Sequence, residues 1–317
     1  MRIFYLVIIL HILTGCREVA IEDARKAYAE GNGKKAIELY RKLAADKNNP
    51  NAEAQMELGN RYYSGTDVVK DYSEAYRWYL EAANNNLDRA QAMVGLLYQN
   101  GHGVGKNDQT SFEWMLKAAE QGLIQAEFAV GLKYEAGLGV KQNFKEAAYW
   151  YKKSSDKGFA SAQNALGNLF MLGFGVPQDY RQAEALFSKA AEQGVPEAYL
   201  YIGGIYLNGQ GVSKDEKMAA EYFIKAAEKG NAKAEYLLGA FYLENKLIKN
   251  NLVLSYAFFN LAASHGQTEA IRFRDQVQGL LTADQLKSAQ TVASDLSDPN
   301  RFGGVLKKFL IENTAEG

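Results

Sequence analysis

Small residues recur along this chain of 317 residues at one fixed spacing. Glycines follow one another at a step of 36 residues, and alanines placed five residues earlier keep the same step. A constant period of this length is typical of a repeat array, in which each unit buries its apolar face against its neighbours. The two series are Gly59, Gly95, Gly131, Gly167, Gly203 and Gly239, and Ala54, Ala90, Ala126, Ala162, Ala198, Ala234 and Ala270.

Each repeat unit of 36 residues is predicted to form two helices joined by a short glycine-rich loop. In the fourth unit, an apolar pattern at helical spacing runs from Ala162 to Leu172, and a second one runs from Tyr180 to Gln193. Such a pair of helices, here called helix A and helix B, forms an αα-hairpin. Gly194 closes helix B where a left-handed C-cap is expected, and Asn86 takes that place in the first unit.

The third unit carries an ordered motif of alanine, glycine and aromatic positions. The motif consists of Ala126, Val130-Gly131, Tyr134, Gly137 to Val140, Ala147, Trp150 and Gly158. It resembles the Sel-1-like repeat family, a relative of the tetratricopeptide repeat, and departs from the family pattern at Asn143 and at Ser154-Ser155. The resemblance implies an all-α fold, a right-handed α-solenoid of stacked αα-hairpins that forms a superhelix.

The repeat pattern divides the chain into five parts. We expect a lipoprotein signal peptide over 1–15, an N-terminal tetratricopeptide-like capping hairpin over 16–50 and six repeats over 51–266. C-terminal capping helices over 267–296 and a tail over 297–317 complete the chain. Thr282 and Gln285 have the spacing of a capping box and predict a helix that runs to about Leu296.

An apolar run from Ile3 to Leu13 has the length of a signal-peptide core and is too short to span a bilayer. It ends in Leu13-Thr14-Gly15-Cys16, which resembles the lipobox of bacterial lipoproteins and implies lipidation of Cys16. The alternative is an uncleaved signal anchor, or a cysteine that follows an apolar run by chance. Arg17 replaces the aspartate that holds such lipoproteins in the inner membrane, so the resemblance implies an outer-membrane lipoprotein that faces the periplasm.

Charge and motifs point away from nucleic acid and from catalysis. Lysine and arginine total 36 against 37 acidic residues, which leaves no basic footprint for nucleic acid. The glycine loops recur without the Lys-Ser/Thr of a phosphate-binding loop and are interpreted as structural turns. His102 and His265 lack the spacing of metal ligands. We therefore expect no catalytic residues, cofactor or metal.

One face of helix A is more apolar than a solvent-facing surface requires. Positions two, six and nine after the repeated alanine lie opposite the repeat-invariant positions, and an apolar patch of this kind indicates an interaction site. The alternative is that neighbouring A helices pack their own side chains there. The candidate partner-binding residues, expected on the concave face, are Met56, Tyr63, Leu96, Gln99, Phe128, Leu132, Glu135, Asn168, Met171, Leu200, Leu207, Tyr236 and Leu243.

Together these features predict a non-enzymatic scaffold or adaptor for protein–protein interaction, anchored by lipid in the bacterial envelope. Its partner would be a protein of the periplasm or envelope. One alternative, drawn from the same resemblance, is an immunity protein that neutralises a secreted toxic effector such as a type VI phospholipase. Another is an enzyme that acts on cell-wall material, which no motif in the sequence supports.

Overall fold

The computed structural model describes residues 21–46, 50–244 and 251–314, with side chains described as far as residue 308. Within these ranges every regular element is a helix, which confirms the predicted all-α class. The helices form two compact units whose boundary falls between Ser154 and Ser155. Each unit is described by itself.

Unit 1 consists of helical hairpins in which successive helices pack on one another. The first described helix, α1, covers residues 21–29. The helices that follow are α2 (Gly33–Ala44), α3 (Ala52–Ser64), α4 (Tyr72–Asn84), α5 (Asp88–Asn100), α6 (Asp108–Glu120), α7 (Ile124–Ala136) and α8 (Phe144–Asp156).

Unit 2 continues the hairpins and ends in three further helices. α14 packs on both α15 and α16, and α17 packs on α16 and buries Phe302 and Leu306 in the core. The segment predicted as a tail therefore contributes a helix. The helices of unit 2 are α9 (Ala160–Leu172), α10 (Tyr180–Glu192), α11 (Pro196–Asn208), α12 (Glu216–Glu228), α13 (Ala232–Leu243), α14 (Leu252–Ser264), α15 (Glu269–Gln278), α16 (Ala283–Leu296) and α17 (Pro299–Thr314).

The helix ends are closed by the residues that the sequence rules anticipate. The Asp179 carboxylate begins α10 by accepting bonds from two backbone N–H groups of the first turn. Gly194 has a φ of 89° and Asn86 a φ of 62°, so both predicted left-handed caps are confirmed. The capping box between Thr282 and Gln285 is also present and begins a helix that ends at Leu296.

Within each hairpin, the repeated glycine of helix A lies against a buried side chain of helix B. A β-carbon on Gly203 would stand 2.5 Å from the ring of Phe223, and one on Gly131 would stand 2.5 Å from the ring of Tyr151. Both rings are fully buried. The sequence prediction that these glycines mark a close approach of two helices is confirmed, because no larger residue fits between the helix backbone and the ring.

A buried amide pair connects the start of helix A with the residue that follows helix B. The Gln121 Nε2 donates to Gln91 Oε1 at 2.8 Å, and the Gln193 Nε2 donates to Gln163 Oε1 at 2.8 Å. Gln91 and Gln163 are buried, and a buried amide left without a partner would cost about 1–3 kcal/mol. Each pair therefore satisfies polar groups inside the hairpin, a feature that the sequence analysis did not single out.

The glycine-rich loops pack on the preceding hairpin. A β-carbon on Gly139 would overlap the backbone carbonyl of Asp108, and one on Gly103 would overlap that of Tyr72. Both glycines have a positive φ, which disfavours side chains as well. The loops are therefore structural turns, as predicted.

Two adjacent glycines of α11 allow a matched test of this packing. Gly203→Ala should lower the free energy of unfolding by about 1–3 kcal/mol, because the new methyl group overlaps the Phe223 ring and the core has no room to move it. Gly204→Ala should raise it by about 0.5–1 kcal/mol, because nothing lies within 4 Å of the added carbon and alanine is the better helix former.

Urea unfolding followed by circular dichroism would measure both variants against the wild type. The two substitutions are chemically identical, one residue apart and on the same helix. Equal effects of the two substitutions would show that the approach to Phe223 does not govern the stability of the hairpin.

Candidate functional site

In unit 1 the candidate face contains both exposed and self-packed residues. Leu96 and Leu132 are 38% and 43% exposed, as a free binding surface requires. Met56 is buried in the core beside Tyr79, so the prediction that it is available to a partner is wrong. The same cluster contains Ala90, Val94 and Leu97 of α5, so the next hairpin helps to cover Met56.

The remaining candidates in unit 1 contact neighbouring aromatic rings or solvent. Phe128 is half-buried on the ring of Tyr151, and the Tyr151 hydroxyl donates a hydrogen bond to the Glu135 carboxylate. The half-buried Tyr63 ring lies 5.2 Å from the ring of Tyr72. The side chain of Gln99 is exposed.

At the C-terminal end of the face, in unit 2, the chain covers its own apolar residues. Tyr236 packs on Phe259 and Phe273, with ring centroids 5.6 and 5.7 Å apart, and Leu243 packs against the same cluster. Helix α15 supplies Phe273, so self-packing prevails at this end. Asn168, the first candidate residue of unit 2, lies on α9 and is half-buried.

Unit 2 also contains a cavity of about 500 Å³, which we call the groove. Three predicted residues line it, namely Met171 on α9 and Leu200 and Leu207 on α11. Gly204 lies between the two leucines, at the position that Leu96 and Leu132 occupy in two other repeats. A β-carbon on Gly204 would meet nothing within 4 Å. The absence of a side chain at Gly204 leaves room beside α11.

The rest of the lining is not among the predicted partner-binding residues, and it comes from the five helices α9 to α13 and from the two loops that contain Gln178 and Gln210. Leu172 at the edge is 45% exposed, whereas Phe223 at the base is fully buried. The complete lining is Met171, Leu172, Gln178, Tyr180, Leu200, Tyr201, Gly204, Leu207, Asn208, Gln210, Phe223, Lys233 and Leu237. The size and the mostly apolar lining, with a few polar groups, match those of ligand sites in general.

The polar edge of the groove is organised around Tyr180. Its hydroxyl oxygen accepts hydrogen bonds from Gln178 Nε2 at 3.0 Å and from Gln210 Nε2 at 3.1 Å. Gln178 Nε2 also donates to the Met171 carbonyl at 2.9 Å. A phenol has one hydrogen and two lone pairs, so both lone pairs are used and the O–H hydrogen remains to donate.

Lys233 is the charged residue among the groove residues described. Its ammonium lies 4.9 Å from the centroid of the Tyr236 ring, a cation–π contact that holds the side chain in place without neutralising it. The lining contains no carboxylate. The groove therefore carries one positive charge.

Groups with shifted pKa values lie elsewhere in the described chain. Burial lowers the pKa of Lys133 in unit 1, and burial together with Glu135 raises the pKa of the Tyr151 hydroxyl. Neither residue lines the groove. Perturbed acids and bases are typical of catalytic sites. The groove instead offers apolar contact and hydrogen bonding.

The described residues have neither the side-chain cluster of a metal site nor a helix suited to crossing a membrane. They contain no group of three or more histidine, cysteine, aspartate or glutamate side chains placed to hold a metal ion. None of the described helices combines the length and the apolar character that crossing a membrane requires. Cys16 and the signal segment lie outside the described residues.

The sequence matches the family model described as Sel1 repeat, and the matches follow one another along the chain. They cover residues 24–48, 52–87, 88–123, 124–159, 160–195, 196–231 and 232–267. The chain belongs to the Sel1 repeat family. In general this family is a non-enzymatic scaffold for protein–protein interaction. The first match falls within the segment predicted as a capping hairpin.

Solved structures of Sel1 repeat proteins resemble the chain. A protective antigen present in uropathogenic Escherichia coli strains is 28% identical, with a TM-score of 0.76 over 93% of this chain and 65% of that protein. The chain thus spans about two thirds of that protein's length. A Sel1 repeat protein from Oxalobacter formigenes is 31% identical, with a TM-score of 0.60 over 82% of this chain and 100% of that one.

A third solved structure is more distant. The immunity protein Pa5087 from Pseudomonas aeruginosa is 20% identical over 68% of this chain and 83% of its own, with a TM-score of 0.41. A likeness at this level carries no argument about function. No curated protein sequence matches the chain.

In the Sel1 repeat over 232–267, a carboxylate and an imidazole take the places of the two amides of the buried pair. The His265 Nδ1 lies 2.9 and 3.0 Å from the two carboxylate oxygens of Glu235, whose side chain is 0% exposed. Burial raises the pKa of Glu235, and His265 offsets part of that rise. The contact of His265 with Glu235 was not foreseen from the sequence.

This pair predicts how stability depends on pH. A carboxyl whose pKa is raised on folding binds its proton more tightly in the folded state. Its contribution to the free energy of unfolding is therefore present below the ordinary glutamate pKa of 4.5 and is lost as the pH rises through the raised value. The double variant Glu235→Gln/His265→Gln reproduces the amide pair of Gln163 and Gln193. The wild type should lose stability relative to this variant as the pH rises from 4.5 through the raised pKa of Glu235.

Urea unfolding of both proteins at several values between about pH 4 and pH 8 measures this difference. The double variant is the control for every other titrating group, because only the pair differs. A difference that stays constant with pH, or that grows in favour of the wild type as the pH rises, would contradict the prediction.

Proposed function

We propose that this Sel1 repeat protein is a non-enzymatic adaptor whose protein partner binds in the groove of unit 2. The observation that carries the proposal is the gap at Gly204. At this position a Sel1 repeat can hold leucine, as it does at Leu96 and Leu132, yet glycine leaves an apolar cavity open between Leu200 and Leu207. Open apolar cavities of this size favour binding of an apolar group from a partner.

The test is to fill the cavity without disturbing the fold. Gly204→Leu introduces the residue that two other repeats hold at the equivalent position and adds a bulky side chain at the groove, and Gly204→Ala is the matched control. Envelope proteins retained on the immobilised wild type should also be retained on the alanine variant. They should fall at least ~10-fold on the leucine variant, a loss of about 1.4 kcal/mol.

The outcome also separates the two binding roles. Several envelope proteins that depend on the open groove support a scaffold, and a single secreted hydrolase supports the alternative of an immunity protein. Equal retention by Gly204→Leu and Gly204→Ala, with both variants folded by circular dichroism, would reject the groove as the partner site.

We propose further that lipid at Cys16 anchors the protein in the bacterial envelope, in the outer membrane facing the periplasm. Leu13-Thr14-Gly15-Cys16 supports this, since it has the order of a lipobox, and Arg17 supports the choice of membrane. Anchoring by more than one acyl chain is stable, whereas a single chain binds reversibly.

Cys16→Ser should remove the lipid and move most of the protein from the membrane pellet to the soluble fraction, whereas the conservative Thr14→Ser should leave it in the pellet. Arg17→Asp should shift it from the outer-membrane to the inner-membrane fraction of a sucrose gradient. Fractionation with immunoblotting and labelling with a radioactive fatty acid measure both effects. Retention of label by Cys16→Ser would reject the anchor.

A further inference from the structure

The charge of the groove restricts what can bind there. Lys233 contributes one positive charge, and the lining contains no acidic residue that would neutralise it. Lys233 is exposed and its described contact is the ring of Tyr236, so its ammonium is open to a partner. A cation at the edge of an apolar cavity favours a partner with a carboxylate and disfavours one with a lysine or arginine at that place.

The hydrogen-bonding groups restrict the partner further. The O–H of Tyr180 has a hydrogen left to donate after its oxygen has accepted two bonds. Asn208 and Gln210 add side-chain amides to the lining, and an amide both donates and accepts. A polypeptide backbone offers alternating carbonyl and N–H groups to such an edge. A hydrocarbon chain offers none, so the edge fits a peptide segment better than a lipid.

The gap at Gly204 supplies the third restriction. Leu200 and Leu207 flank it on α11, and the groove is also lined by Leu237 of α13 and by the fully buried Phe223 of α12. The surrounding atoms are apolar, so a partner gains most by placing an aliphatic or aromatic side chain there. Burying such a side chain completely is worth about 1.5–3 kcal/mol, which is enough to anchor a short segment.

We propose that the groove binds a short acidic segment of a partner protein, with one bulky apolar side chain in the gap at Gly204 and a carboxylate beside Lys233. The Tyr180 hydroxyl donates to a backbone carbonyl of the same segment. This inference rests on the proposed function, because it identifies the chemistry of the partner that binds in the groove.

A phage-displayed library of random peptides, selected on the immobilised full chain, tests the chemistry without knowledge of the natural partner. We expect the enriched peptides to contain a leucine, phenylalanine or tryptophan within a few residues of an aspartate or glutamate. Enrichment of basic peptides, or of peptides without a carboxylate, would overturn the proposal.

A pair of lysine variants then tests the contact. Lys233→Gln should weaken the binding of an enriched synthetic peptide about 2- to 5-fold in fluorescence anisotropy, the range expected for an exposed charge pair. Lys225→Gln is the matched control, since Lys225 is also exposed in unit 2 and lies 5.0 Å from the Tyr222 ring but does not line the groove. It should bind like the wild type.

Combining these variants with Gly204→Leu distinguishes the two proposals. If Gly204→Leu abolishes peptide binding and Lys233→Gln does not change it, the groove binds its partner but the acidic chemistry is wrong. If neither substitution changes binding, both the groove and its chemistry are rejected. If Gly204→Leu and Lys233→Gln both weaken peptide binding while the controls Gly204→Ala and Lys225→Gln bind like the wild type, both proposals are supported.

Discussion

The approach of a helix-A glycine to a helix-B ring is the contact on which each hairpin depends. A β-carbon on Gly203 would stand 2.5 Å from the Phe223 ring, and Gly131 faces the Tyr151 ring at the same distance. The ring fills the space that the glycine leaves, which brings the two helices together at native packing density. Because this contact commits one side of helix A to its own hairpin, the opposite side can differ between repeats, and it is buried at Met56 but exposed at Leu96 and Leu132.

The groove arises from that freedom. Gly204 follows Gly203 and is turned by 100° around the helix, so it leaves the ring contact and faces the cavity. A glycine inside a helix costs about 0.5–1 kcal/mol relative to alanine. Gly203 offsets this cost through close packing, whereas nothing lies within 4 Å of a β-carbon at Gly204. A residue that breaks a local rule without a packing benefit is typical of a functional position.

The period of 36 residues was sufficient to predict the helices, the glycine caps and the apolar side of helix A, because each depends on short-range geometry. The groove could be predicted only in part. Met171, Leu200 and Leu207 belong to the predicted face, whereas Tyr180 and Gln210 are 30 residues apart and meet only after the loop has packed on the preceding hairpin. One signal was present in the sequence, since Gly204 interrupts a position held elsewhere by larger residues. The burial of Met56 depends on the packing between hairpins, which periodicity does not specify.

The groove selects by contact rather than by attraction at long range. The chain has a formal net charge of −1, so its overall field is weak, and salt screens exposed charges beyond about 8 Å at physiological ionic strength. A carboxylate therefore responds to Lys233 only after the apolar side chain has entered the gap and brought it close. Apolar burial thus supplies most of the affinity, and the charge at Lys233 determines which of several equally apolar segments is retained.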